Sequence, residues 1–255
     1  MDHIKRSDIK VVRIPGAEEQ YVFGRKGYIF EEEAEMKYCR FAAELGEAPE
    51  LCGKTFVIYV RSCRDALLRY GAAGAERMEE VILCNDDVIY ISAFASARIE
   101  FRSLDGYADC TVFSPSGKEA VQDSANLVRR ITRDAAPILM KNGRKTYRLM
   151  GGGSALVKTT NMSGAFATFA ERYGRMESHC HENEYMYVID AKNAVVSFGP
   201  DKNHLEHRQS IHKGDIMRPH LGEWHRFDFT DEDGYVDFCN LFTVMTTHVT
   251  TENDL

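Results

Sequence analysis

Residues 41–71, FAAELGEAPELCGKTFVIYVRSCRDALLRYG, lie over residues 169–199, FAERYGRMESHCHENEYMYVIDAKNAVVSFG, at a fixed shift of 128. Phe41 falls on Phe169, Ala42 on Ala170, Gly46 on Gly174, Cys52 on Cys180, and Gly71 on Gly199. Tyr59 and Val60 fall on Tyr187 and Val188. Carried on without a gap to residue 113, the register gives 15 identities in 73 pairs. Average composition would give roughly five. Later pairs include Asp87 with Asp215, Arg98 with Arg226, Phe101 with Phe229, and Asp105, Gly106 and Tyr107 with Asp233, Gly234 and Tyr235. The chain reads as two copies of one domain, the second starting near residue 140.

Working outward, the repeat settles a local conflict. CRDALLRYGAAGAERMEE is rich in helix formers, but its partner DAKNAVVSFGPDKNHLEH reads as a strand and then a loop broken by Gly-Pro. The stretch 66–70 is therefore expected to be a strand, with room for a short helix only within 72–80. FVIYV, EVILC, VIYIS, ARIEF, EYMYVI, AVVSF and HRFDF are short aromatic and β-branched runs bounded by turn residues. Asp-Gly at 105–106 and at 233–234 marks a hairpin at the same place in both copies. The stretch 123–139 is expected to be a linking helix, capped by Ser124, with Leu127, Val128 and Ile131 on one face. The expected class is all-β, with domains at 1–122 and 140–255 joined by that helix.

Composition narrows the function. A chain of 255 residues suits two small domains. A formal charge of −7 argues against nucleic acid, which asks for a basic face. No run approaches a membrane span, and the start, MDHIKRSDIKVVRIPG, lacks the apolar core of a secretory signal. Seven scattered cysteines with no C-x-x-C pair fit reduced thiols, so a cytoplasmic protein is expected. Histidine is uneven: seven of nine lie between 179 and 225, which marks metal or proton chemistry.

Within that window His179, Cys180 and His181 alternate, so on an extended strand both imidazoles face one side. Glu184 follows three residues later, and GDIMRPHLGEWHRFDF brings His225 on another strand. Three imidazoles and one carboxylate leave two open positions on a six-coordinate ion.

These two stretches resemble the signature motifs of the cupin superfamily. Gly174, four residues, His179-x-His181, two residues and Glu184 are similar to its first motif. Gly214, Pro219, Gly222 and His225 are similar to its second. The spacing from His181 to Glu184 is one residue shorter than in the family, and Ala191 stands where the first motif ends in Gly. The resemblance implies two tandem jelly-roll, or double-stranded β-helix, barrels. It implies one divalent ion (Fe, Mn, Ni, Co or Zn) held by His179, His181, Glu184 and His225, with Glu184 serving as a ligand or as a catalytic base. In the first copy the four positions become Leu51, Gly53, Phe56 and Ala97, none a ligand.

Two functions follow. One is a metal-dependent enzyme of isomerase, decarboxylase or dioxygenase type, acting on a small oxygen-rich substrate that chelates the ion. The other is a non-catalytic metal or small-ligand binding or sensing module. Expected partners are a small molecule and, through the amino-terminal copy, the other barrel or a second chain in a homodimer; nucleic acid and membrane are not expected. Met186, Trp224 and Phe227 are expected near the mouth of the barrel, and Arg218 is expected on the surface, with contact to an acidic substrate as the lesser reading.

Overall fold

The computed structural model describes residues 1–117, 127–141, 143–180 and 183–243. His181, Glu182 and 123–126, with the expected cap Ser124, lie outside them. The described residues are strands joined by turns and 3-10 turns. Among the described residues no helix is long and apolar enough to cross a membrane.

The chain divides into two compact units, one of residues 7–135 and one of 1–6 with 136–255. In the first, a sheet runs in the order Val128–Ile131, Val88–Ile91, Phe56–Arg64, Tyr107–Pro115, Ala34–Ala42, Ala17–Phe23, Val12–Ile14. A second sheet has the order Leu51–Cys52, Ala95–Phe101, Ala66–Ala72, Glu79–Ile82. A buried apolar cluster that includes Phe41, Ile58, Leu68, Ile89 and Ile99 fills this unit. Its size follows from alternation: on each strand every second residue faces inward.

The other unit repeats the order: Asp2–Ile4, Ile216–Arg218, Glu184–Lys192, Tyr235–Phe242, Ser163–Ala170, Arg144–Gly151, Ile138–Lys141. Its smaller sheet has the order His207–Ser210, Ala194–Gly199, Trp224–Phe229. The correspondence extends to irregularities. The pairing of Tyr107–Pro115 with Phe56–Arg64 skips Arg61, and that of Tyr235–Phe242 with Glu184–Lys192 skips Ile189. Those two bulges are 128 residues apart, and a bulge adds local twist that helps a sheet curl.

Two expectations are corrected. Residues 127–139 are not helical: Val128–Ile131 is a strand on Val88–Ile91, Arg133–Ala135 is a 3-10 turn, and Ile138–Lys141 is a strand on Arg144–Gly151. Val128 and Ile131 are buried and the two arginines between them exposed. A spacing of three marks a helix face and, on a strand, places the two residues on opposite faces; pairing with Val88–Ile91 selects the strand. As expected, 66–70 lies within strand Ala66–Ala72, and no helix forms within 72–80.

The second correction concerns the boundary. Asp2–Ile4 pairs with Ile216–Arg218 as Val128–Ile131 pairs with Val88–Ile91, with Ile4 opposite Ile216 and Ile131 opposite Val88. The opening strand of each repeat thus completes the sheet built by the other repeat, and the division falls at 135/136 with residues 1–6 exchanged.

Gly16 and Gly143 enter equivalent strands with φ of +77° and +68°. A Cβ on Gly16 would stand 2.0 Å from the Glu47 carbonyl oxygen, and one on Gly143 2.5 Å from that of Gly174. Gly53, also at positive φ, has nothing within 4 Å. Gly16→Ala and Gly143→Ala should each cost more than Gly53→Ala, about 2–3 kcal/mol against about 1 kcal/mol. Urea unfolding of the three variants, with the first two no less stable than the third, would refute the equivalence.

Candidate metal centre

His225 lies on strand Trp224–Phe229, whose inward positions are 225 and 227. His179 is fastened beside it by a two-residue bridge. Its N–H donates to the His225 carbonyl at 3.1 Å, and the His225 N–H donates back at 2.8 Å. The ring centroids are 4.5 Å apart. His225 Nδ1 lies 3.5 Å from the Glu223 carbonyl, and His179 Nδ1 3.3 Å from that of Glu177. A carbonyl cannot donate, so these long contacts favour the proton on Nδ1 and leave the lone pair on Nε2 of both rings.

Glu184 opens strand Glu184–Lys192 and is buried with both imidazoles. Its Oε1 accepts a hydrogen bond from Asn240 Nδ2 at 2.7 Å, and its Oε2 is 3.9 Å from His225 Nε2. His179, Glu184, His225 and Asn240 share one cavity with Arg144, Thr146, Phe169, Phe227 and Phe242. Among the described residues no group of three or more His, Cys, Asp or Glu is arranged to hold a metal by itself. The implied third imidazole, His181, lies outside them.

Burial sets the protonation states. It pushes the Glu184 carboxyl up to about 8, against the opposing Arg144 charge and the Asn240 hydrogen bond. It holds His225 down to about 4. Near neutrality both are uncharged in the metal-free protein, so their 3.9 Å approach is not an ion pair.

The same places in the first unit are apolar. Leu51, Phe56 and Ala97 are all buried and belong to its core cluster. Inward alternation is kept while the side chains are replaced.

The remaining expectations divide. Phe227 lines the cavity, whereas Met186 is buried in the adjoining core. Trp224 is half-buried and is not among the lining residues. Arg218 is half-buried and pairs with Asp2 at 2.9 Å. His204, His207, His212 and His220 are exposed, His204 on Asp201 and His220 on Asp2. Sequence reading missed Asn240 and Arg144. The signal for Asn240 was a polar residue at the inward parity of Phe238 and Phe242.

The two shifts give opposite pH limbs. Folded His225, below its ordinary 6.5, contributes stability that is complete above 6.5 and lost as pH falls towards 4. Folded Glu184, above its ordinary 4.5, contributes stability that is complete below 4.5 and lost as pH rises through 8. Melting temperatures of metal-free protein should therefore decline on both sides. Glu184→Gln should flatten the rise-in-pH limb and leave the acid limb, and an unchanged alkaline decline would contradict this.

No protein-family model and no curated protein matches the sequence. Solved structures do. An oxalate decarboxylase from Lactobacillus farciminis, in a formate complex, superposes with a TM-score of 0.66 at 11% identity, covering 97% of this chain and 88% of that one. Two variants of Bacillus subtilis oxalate decarboxylase superpose with TM-scores of 0.66 and 0.67, both at 14% identity, covering 97% of this chain and 79% of theirs. What the chain shares with these enzymes is the fold, an all-β cupin architecture of jelly-roll barrels.

Proposed function

We propose that the unit of 136–255 holds one divalent metal ion through His179, His181, Glu184 and His225. On this reading the protein is a metal-dependent enzyme acting on a small oxygen-rich substrate. The observation that carries the proposal is the convergence of two buried imidazoles and a buried carboxyl on one cavity, at places where the first unit has Leu51, Phe56 and Ala97. The donor set suits Mn, Fe, Co, Ni or Zn, because borderline cations take imidazole nitrogen together with carboxylate oxygen. The first barrel, on this view, keeps the fold without a metal. The likeness to oxalate decarboxylases favours decarboxylation over isomerisation or dioxygen chemistry.

The bound ion would supply Lewis-acid polarisation of a substrate oxygen. The chain does the rest. Backbone carbonyls orient both imidazoles, and Asn240 fixes one carboxyl oxygen of Glu184. Phe169, Phe227 and Phe242 exclude water, which strengthens each polar contact inside. Glu184, neutral near pH 7 without a cation, can hold or release a proton at Oε2.

Elemental analysis should give one metal per chain, and His225→Ala should lose it while keeping the β-sheet circular dichroism spectrum. Full metal content in that variant would sink the assignment. A second experiment separates the roles of Glu184. Titrating metal-free protein with Mn²⁺ at pH 6.5, in buffers of different ionisation enthalpy, should show about one proton released per ion bound if the carboxyl becomes a ligand. Glu184→Gln should then lower the release by about one proton and weaken binding. Metal retained with lost turnover would make Glu184 a base instead.

A further inference from the structure

Arg144 was not expected from any motif, yet it lines the same cavity as His179, Glu184 and His225. It opens strand Arg144–Gly151, directly after Gly143, and pairs across the sheet with Phe169. Its guanidinium lies 5.9 Å from the centre of the Phe169 ring, within reach of the ring's negative face. The charge is felt at the metal-binding groups: it opposes the upward push on Glu184 and adds to the downward one on His225.

The first barrel again serves as a comparison. Phe41, the counterpart of Phe169, pairs with Ala17, which is fully buried. The cation therefore stands only in the barrel that carries the ligand set. The cavity measures about 60 Å³, space for roughly four to six water-sized spheres. An acid held wholly inside it has only a few heavy atoms. Beside the imidazoles, Glu184, Thr146 and Asn240, its lining is Ala165, Ala167, Phe169, Phe227 and Phe242, and Arg144 is the one Lys or Arg among the lining residues. A planar guanidinium matches a carboxylate through two parallel hydrogen bonds, and the match is strongest where water is scarce.

We propose that Arg144 determines specificity in this cavity by binding the carboxylate of a small organic acid. The substrate class is then a 2-oxo acid or a short dicarboxylate, with its second oxygen left for the ion. Only that last clause rests on the metal reading above; the anion site itself does not.

The experiment has two arms. In metal-free protein at constant ionic strength, acetate should raise the melting temperature and acetamide, its neutral counterpart of equal size, should not. R144Q should lose the acetate response. In Mn-loaded protein, calorimetry should show oxalate and pyruvate binding, weakened at least about tenfold in R144Q and partly restored in R144K, with metal content unchanged. Should R144Q fail to fold, R144K carries the test, because it keeps the charge and loses the planar fork. An R144Q or R144K protein that binds acetate and oxalate as wild type does overturns the proposal. Wild-type protein that takes up no metal, yet shows an acetate response dependent on Arg144, refutes the metal reading and leaves this inference standing.

Discussion

The pair of backbone hydrogen bonds joining His179 to His225 is the constraint on which the site depends. It ties the approach to strand Glu184–Lys192 to strand Trp224–Phe229, which belongs to the smaller sheet. Side chains on facing sheets meet in the core only if such a tie fixes their height along the strands. With it made, two imidazoles stand with centroids 4.5 Å apart and Glu184 lies within reach of one of them. Rotamer freedom alone would not bring them together: the backbone positions the chemistry and the side chains follow.

Burial then does two things at once. It packs Phe169, Phe227 and Phe238 into contact, with centroids of 4.8 to 6.0 Å. It also strips water from Glu184 and His225, holding both neutral when no cation is near. A neutral pair costs little to bury, whereas an isolated buried carboxylate would cost several kcal/mol. The barrel can therefore fold before Glu184 is charged.

Much of the architecture was legible because strand pairing is local in register and the repeat is nearly gapless. Phe56–Arg64 maps onto Glu184–Lys192 residue for residue, and the bulges at Arg61 and Ile189 explain how the register survives a kink. Of the proposed ligand set, His179, Glu184 and His225 could be found from alternation and motif, and all three line one cavity. Arg144 could not, because its relevance comes from pairing with Phe169 and from a reach that no spacing rule encodes. The stretch 123–139 misled for a different reason. Its apolar spacing is that of a helix face, and pairing with Val88–Ile91 across the chain overrides it.

The exchanged opening strands bear on how the chain reaches this structure. Arg218 finds Asp2 across 216 residues of sequence, and such distant closures are slow because loop entropy is spent before the contact forms. While it emerges during synthesis, the first repeat lacks Val128–Ile131, and its own opening strand has no partner until the second repeat has appeared. For that interval the sheet of the first repeat presents an unpaired edge, which can take the equivalent strand of another copy until its own chain supplies one at a far higher local concentration. The topology thus carries a built-in competition between closing on itself and exchanging strands with a neighbour, and that competition is governed by protein concentration during folding.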